Sequence, residues 1–229
     1  MKINSALFGF VKREGFYKLV LTAKPSKLEF PETDLPLAIY VPYRAGKAPI
    51  ELEQWLSEQG FERTIKLEKY TCRGELCSPV CDDLGLATGG LTPPLQKIAV
   101  KPTTGEHGSP LQTLTADEVY SFLFQHFTAT EMDLPPREEF NADNAYCVRA
   151  DAGNLLGVLY DMEHTRVLAI SLEARGLGVG GKLYRAFAEW SGLRQFVEWI
   201  RPDNAASIAM FRKLGFEKDT LVTDCWVKI

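Results

Sequence analysis

A glycine-rich segment in the second half of the chain constrains the fold more than any other feature. It reads Arg175-Gly-Leu-Gly-Val-Gly-Gly-Lys-Leu183. An apolar run at 167–172 predicts a strand before it, and 183–190 predict a helix after it. Glycines let the backbone approach an anion closely, and the N–H groups of a helix's first turn point at that anion. We predict a site for a pyrophosphate-bearing cofactor; the alternative is a tight turn that is merely rich in glycine.

Two known phosphate-binding patterns do not fit this segment. A dinucleotide fingerprint requires Gly-x-Gly-x-x-Gly and an acidic residue about 20 residues further on, at the end of the next strand. Gly176, Gly178 and Gly181 have this spacing, but Glu198 lies within the next apolar run and not clearly at its end. A P-loop requires Ser or Thr after Gly-Lys, but Leu183 follows Lys182. The glycine segment alone therefore leaves the class of cofactor open.

A second motif comes directly after the next strand-like run, 196–200. Asp203 or Asn204 is a good helix N-cap, and Gly215 is a good residue to end that helix. Between them, three apolar residues recur at helical spacing, which predicts a helix with one face against the core. These residues are Ile208, Phe211 and Leu214.

The two motifs, in this order, resemble the GNAT family of acyltransferases over roughly the last half of the chain, from about Leu111. The resemblance implies acetyl-CoA bound between two splayed strands and direct transfer of its acetyl group to a primary amine. The implied cofactor-binding residues are Ile170, Ser171, Leu172, Arg175, Gly176, Leu177, Gly178, Val179, Gly180, Gly181, Lys182, Leu183, Asn204 and Phe211. It places Asn204 on the pantetheine arm and Phe211 beside the sulfur. Helix capping and core packing are the respective alternatives.

The acid and the base of the reaction are less well defined by the sequence. The family commonly has Tyr where this chain has Phe211, which cannot donate a proton to the departing thiolate. Tyr160, Tyr184 and Cys225 are candidate substitutes, and a CoA thiol is acidic enough to leave with little help. Glu163, in the turn before the cofactor strand, is the candidate base; a solvated turn residue is the alternative.

Composition and charge restrict the class of protein. The chain has 229 residues and a formal net charge of −4. No basic stripe or stacking platform predicts nucleic-acid binding, and no apolar run predicts a membrane span. Five cysteines without a secretion signal predict a reduced, cytoplasmic protein. Cys72, Cys77 and Cys81 lack zinc-type spacing, so we predict no metal, with a partial metal site as the alternative. We expect a monomer or a homodimer.

The first half of the chain echoes the second. A strand-like run at 37–41, a helical pattern at 50–59 and Gly60-Phe61-Glu62-Arg63 correspond to the run at 196–200, the second helix and Gly215-Phe216-Glu217-Lys218. We predict a partial, degenerate GNAT-like domain at 1–75, an irregular connection at 76–110 and a complete catalytic GNAT domain at 111–229. The fold class is α/β (α+β), a mixed sheet flanked by helices. The alternative for the first half is an unrelated α/β extension.

This layout is similar to that of nucleotide-amino-sugar (dTDP-fucosamine) acetyltransferases, as is the opening Asn4-Ser-Ala-Leu-Phe-Gly9. The resemblance implies a small-molecule amine as substrate, and specifically the amine of a nucleotide-linked sugar. Two alternatives stay open. One is a protein or amino-acid N-acetyltransferase, and the other is a non-catalytic protein that binds acyl-CoA or a partner.

Overall fold

The computed structural model describes residues 10–73, 115–128, 131, 133–150, 152–162 and 165–229. The strands are β1 (Val11–Arg13), β2 (Phe16–Val20), β3 (Leu37–Arg44), β4 (Glu62–Arg73), β5 (Ala145–Arg149), β6 (Leu155–Asp161), β7 (Arg166–Ile170), β8 (Gln195–Ile200) and β9 (Glu217–Lys228). The helices are α1 (Ile50–Glu58), α2 (Ala116–Phe124), α3 (Val179–Ser191) and α4 (Ala205–Lys213), with short 3₁₀ turns between elements.

The described strands form two separate sheets. The larger sheet has the order β1-β2-β3-β9-β4-β8, and the smaller sheet has the order β5-β6-β7. All pairs are antiparallel except β2 with β3, which is parallel. Strands β7 and β8 are therefore edge strands of different sheets, and no backbone ladder joins them in the described part of the chain.

The echo in the sequence corresponds to an exchange of strands in the larger sheet. The order β3, α1, β4 in the first half matches the order β8, α4, β9 in the second, and β4 and β9 each have 12 residues. Strand β9 lies between β3 and β4, and β4 lies between β9 and β8. Each half thus contributes its long strand to a position inside the other half's ladder.

Separate apolar clusters support the two halves. Leu52 and Leu56 of α1 pack with Ile39 of β3 and Trp226 of β9. In the second half, α3 and α4 share a larger cluster with β8, in which Tyr184, Phe187, Phe196 and Phe211 are buried. Burial of these large side chains supplies the main driving force for docking the helices onto the sheets.

The fold class predicted from the sequence is confirmed, because the structure is mixed α+β with helices packed on curled sheets. Thr115 and Glu118 form a capping box at the start of α2, and β5 and β6 form a hairpin. The boundaries at 75/76 and 110/111 stay predictions, although residues on both sides of them pair in one sheet.

Two predicted boundaries near the glycine segment differ from the structure. The strand ends at Ile170 instead of 172, because Leu172–Ala174 form a 3₁₀ turn. Helix α3 begins at Val179, four residues before the predicted start, so it includes the last two glycines. Predictions for the opening 4–9, the connection 76–110, Cys77, Cys81 and Glu163 lie outside the described residues.

Candidate functional site

The glycine segment forms a turn that leads from β7 into the N-terminus of α3. Gly178 is the N-cap of α3 and has no side chain to cap the helix. The N–H groups of Val179, Gly180 and Gly181, in the first turn, have no acceptor within the helix, and the helix dipole adds partial positive charge there. Arg175 and Lys182 are exposed on either side of this turn. The turn is suited to bind an anion, and we call 175–182 the glycine cradle.

The glycines of the cradle have different physical roles. Gly176 and Gly178 have φ of +80° and +73°, a conformation that side-chain-bearing residues rarely adopt. A Cβ on Gly180 would lie 2.9 Å from Sδ of Met210, so this glycine lets α3 approach α4. A Cβ on Gly181 would meet nothing within 4 Å. The space beside Gly181 is therefore open to a ligand.

The free edge of β7 continues the site away from the cradle. The N–H of Ser171 donates to the carbonyl of Leu156, 3.0 Å away, which fixes the alternation of hydrogen bonds with β6. The backbone groups of Leu168 and Ile170 consequently face away from β6, toward the free edge. The hydroxyl oxygen of Ser171 is buried and has no hydrogen-bond partner among the described residues. These groups fit the amides and phosphates of a CoA molecule.

A buried polar cluster bridges β7 and β8. Nε of Arg166, the first residue of β7, donates to Oε1 of Glu198 on β8 at 2.7 Å, and Nη2 donates to the carbonyl of Val197 at 3.1 Å. The Tyr184 hydroxyl donates to the same Glu198 oxygen at 2.5 Å. Burial raises the pKa of Glu198 to about 7, whereas Arg166 and Tyr184 oppose that rise. The cluster holds together two sheet edges that have no ladder between them.

This cluster was not predicted from the sequence, in which Glu198 belongs to an apolar run and Tyr184 is a candidate acid. In the structure the Tyr184 hydroxyl donates a hydrogen bond to Glu198, and burial raises the pKa of this hydroxyl well above its usual range. Arg166 and Glu198 are 32 positions apart. One signal in the sequence could have indicated it. Arg166 at the start of β7 and Glu198 in the middle of β8 are charged residues in otherwise apolar strands, and buried charges are usually paired.

The two residues predicted on the pantetheine arm have clear local roles. The Asn204 side chain caps α4 by accepting from the N–H of Ser207 at 3.1 Å. Phe211 is buried, with edge-to-face contacts to Tyr184 and Phe216 at centroid distances of 5.1 and 5.0 Å. Capping and core packing are thus both present, and contact of either residue with a cofactor stays a prediction.

Cys225 and Tyr160 lie away from the cradle. Cys225 is fully buried in β9, in a cluster with Phe16, Tyr40 and Ile65, and burial raises its pKa to about 11. Tyr160 accepts a hydrogen bond from the Asn141 N–H at 3.3 Å and stacks on Phe140. The structure does not bring either side chain to the cradle, and the catalytic role of Cys225 stays a prediction, as does that of Glu163.

The cradle lies within a segment of the chain that matches a known protein family. Residues 116–216 match the acetyltransferase (GNAT) family. The matching segment contains the cradle, both edge strands β7 and β8, and α4. The match supports the family resemblance seen in the sequence. Strands β1–β4 and β9, which complete the larger sheet, lie outside the match.

Three solved structures illustrate what the chain is similar to. A putative GNAT-family acetyltransferase from Novosphingobium aromaticivorans is 16% identical, with 83% of this chain and 73% of that chain covered and a TM-score of 0.48. A Drosophila protein is 15% identical over 100% and 76% of the chains, with a TM-score of 0.54. A Staphylococcus epidermidis protein of unknown function is 12% identical over 84% and 72%, with a TM-score of 0.51. No curated protein matches the chain.

Two further classes of site are absent from the part of the chain that the structure describes. No cluster of three or more His, Cys, Asp or Glu side chains there could hold a metal ion. Within the same residues, no helix is long and apolar enough to cross a membrane.

Proposed function

We propose that the chain is an acetyl-CoA-dependent N-acetyltransferase that moves an acetyl group directly to a primary amine of a small molecule. One observation carries the proposal: a helix N-terminus suited to bind an anion lies at the end of an edge strand that has no neighbouring strand on one side among the described residues. The pyrophosphate of acetyl-CoA would bind the N–H groups of Val179, Gly180 and Gly181. The amides of the pantetheine arm would pair with the free edge at Leu168 and Ile170, where the Ile170 carbonyl now accepts from Nε of Arg175 at 3.4 Å.

The residues of the chain would position the thioester and keep it apart from solvent. The bridge of Arg166 and Glu198 sets the separation of β7 and β8 at one end of the proposed groove. Phe211 and Leu183 provide buried apolar surface beneath it. The amine must lose a proton before it attacks the thioester. Glu163 stays our candidate for that step, and the sugar amine of a nucleotide-linked sugar stays the first acceptor to test.

The experiment that tests the cofactor site is calorimetric titration of acetyl-CoA into wild type, Gly178→Asp and Gly192→Asp. The two glycines cap opposite ends of α3, have φ of +73° and +65°, and would each carry a Cβ with nothing within 4 Å. The two substitutions therefore impose similar backbone strain. Asp tolerates a positive φ better than most other residues with a side chain, so both variants should fold, and the carboxylate at 178 should repel the pyrophosphate.

We expect micromolar binding to wild type and Gly192→Asp and at least a hundredfold loss in Gly178→Asp. Equal binding by all three proteins would overturn the cradle assignment. Release of CoA thiol with a panel of amines, nucleotide amino sugars first, then tests turnover. In that assay Glu163→Gln should lower kcat by about 10²-fold or more if Glu163 is the base.

The burial of Phe211 supports a second candidate function. Phe211 has no hydroxyl, and the hydroxyl of the neighbouring Tyr184 donates to Glu198, so neither residue has a free proton for the thiolate. A protein that binds acyl-CoA without turnover would need no such proton. Micromolar acetyl-CoA binding together with no thiol release for any amine would favour this second function.

A further inference from the structure

A cavity of about 410 Å³, widely open to solvent, lies on the first half of the protein, between α1 and the paired strands β4 and β9. Its walls are Glu53, Gln54 and Ser57 of α1, Arg63 of β4 and Trp226 of β9. No residue of the glycine cradle lines it. The cavity is large enough for a small metabolite, and the GNAT match at 116–216 does not include any of these residues.

Two of the residues that line this cavity have a buried polar atom with no hydrogen-bond partner among the described residues. They are Glu53, through Oε1, and Trp226, through Nε1. Buried polar atoms without partners are uncommon in folded proteins, because each costs about 1–3 kcal/mol of desolvation free energy. One unpaired acceptor and one unpaired donor in the lining of the same cavity point to a polar ligand.

Asp224 lies two positions before Trp226 on β9, in the interior behind the residues that line the cavity. Its side chain has no exposed surface. Its Oδ2 accepts from the Tyr43 hydroxyl at 2.9 Å and lies 3.5 Å from Nη1 of Arg63, while Oδ1 is unpaired. Arg63 pairs with Trp226 across the strands, and its own side chain is 54% exposed. Arg63 therefore has donors left for a ligand that enters from solvent.

The equivalent place on the other half of the sheet is closed. The pairing of Lys218 with Tyr70 corresponds to that of Arg63 with Trp226. There Lys218 forms an ion pair with Glu68 at 2.7 Å, and none of these three side chains has an unpaired buried atom. The repeated architecture can thus satisfy its polar groups internally. The unpaired atoms near α1 are specific to that half.

We propose that this cavity binds a free α-amino acid. The ammonium group would donate to the carboxylate of Glu53, and the ligand's carboxylate would accept from the Trp226 indole and from Arg63. A simple amine would leave the indole N–H unpaired, and a simple carboxylate would leave the Glu53 oxygen unpaired. A zwitterion with both groups on one carbon satisfies both. Binding requires no acetyl-CoA, so this proposal is independent of the proposed function.

The test uses the full chain labelled with ¹⁵N at tryptophan, without acetyl-CoA. The indole N–H signal of Trp226 is assigned by its loss in Trp226→Phe. Each of the proteinogenic amino acids is titrated in turn, with methylamine and acetate as half-ligands. We expect at least one amino acid to shift the Trp226 signal saturably. Neither half-ligand should do so at the same concentrations.

Two matched substitutions on α1 distinguish binding in the cavity from binding elsewhere. Glu53→Gln removes one charge from the cavity wall, and Glu58→Gln removes one charge from an exposed position of the same helix. We expect the dissociation constant to rise at least tenfold in Glu53→Gln and to stay within twofold in Glu58→Gln. Arg63→Gln, at an exposed position, should also weaken binding at least tenfold and serves as the second variant if Glu53→Gln does not fold.

Three results would overturn the proposal. The first is the absence of any saturable shift of the Trp226 signal with all amino acids. The second is equal affinity of methylamine and of the best amino acid. The third is that Glu53→Gln and Glu58→Gln, both folded, bind the best amino acid with equal affinity. None of these results bears on the cradle, which the acetyl-CoA titration tests separately.

Discussion

Arg166 and Glu198 join two strands that share no backbone ladder, with Nε of the arginine 2.7 Å from Oε1 of the glutamate. Both side chains are almost fully buried, at 3% and 6% exposure. A buried charge left without its partner is costly, whereas a buried pair replaced as a unit by apolar groups often is not. The contribution of this pair to the fold can therefore be measured by removing one partner and then both.

Arg166→Met should destabilise the protein by about 3–5 kcal/mol at pH 8.5 and by less at pH 5. Loss of the guanidinium removes a group that lowers the pKa of Glu198, so that pKa rises further above 7. Because the folded pKa is raised above the unfolded value, this group's contribution to stability is full at low pH. It is lost as pH rises through the folded pKa.

Urea unfolding at both pH values measures this prediction, with Arg166→Met/Glu198→Leu as the control. The double variant has neither buried charge, so it should recover part of the stability and lose the extra pH dependence. Strictly additive effects of the two substitutions would contradict the coupling of these residues.

Gly180→Ala and Gly181→Ala separate helix packing from ligand access. At 180 the new Cβ would lie 2.9 Å from Sδ of Met210, so Met210 must move, and we expect a cost of about 1–2 kcal/mol. At 181 the Cβ meets nothing within 4 Å, and alanine favours the helix by about 0.5–1 kcal/mol.

Thermal unfolding should consequently show a lower Tm for Gly180→Ala than for wild type. The Tm of Gly181→Ala should equal or exceed that of wild type. In the acetyl-CoA titration, Gly181→Ala should bind more weakly than wild type, since its methyl group occupies space next to the cradle. A Gly181→Ala protein with unchanged stability and unchanged affinity would show that the ligand does not approach this position.

His126 should make the protein less stable below neutral pH. It contacts Phe122 edge-to-face, its Nε2 is buried without a partner among the described residues, and burial together with the charge of Arg175 lowers its pKa. The folded state thus prefers the neutral ring. That contribution to stability is full above the unfolded pKa of about 6.5 and is lost as pH falls through the folded value.

The difference in Tm between wild type and His126→Gln, followed from pH 7.5 to 5, measures this contribution. Comparing the two proteins at each pH cancels the opposite trend that Glu198 produces between its unfolded pKa and about 7. We expect the wild type to lose more stability on acidification than the variant. Parallel curves would contradict the prediction.

A fragment of residues 111–229 should not fold by itself. Strand β9 pairs with β3 on one side and β4 on the other, so the fragment would expose both edges of a 12-residue strand. Unpaired edges of this length favour aggregation. Solubility and circular dichroism of the fragment check this, and co-expression with residues 1–75 should restore a soluble complex. A soluble, cooperatively folding fragment would establish the predicted catalytic domain as independent.

Local signals in the sequence predicted local structure well. The helix cap at 203–204 and the glycine turn before α3 each depend on residues a few positions apart. The repeat of strand, helix and Gly-Phe-Glu was also visible in the sequence. These patterns act through backbone conformation and capping, which neighbouring residues determine.

Features built from distant residues were not predicted. The insertion of β9 between β3 and β4 depends on strand pairing across the whole chain, which hydrophobic alternation does not specify. The contact of Arg166 with Glu198 depends on where two sheet edges meet. The unpaired atoms at Trp226 and Asp224 depend on how α1 covers the sheet.

The strand exchange also has a consequence during protein synthesis. Strand β4 leaves the ribosome long before β9, yet β9 is its neighbour on one side and β8 is its neighbour on the other. The edges of β3 and β4 that pair with β9 therefore stay without their partner until β9 has been synthesised. Folding that depends on such distant pairings is slow, and the waiting strand is vulnerable to wrong partners. We expect newly made chains to depend on chaperones more than their modest size would imply.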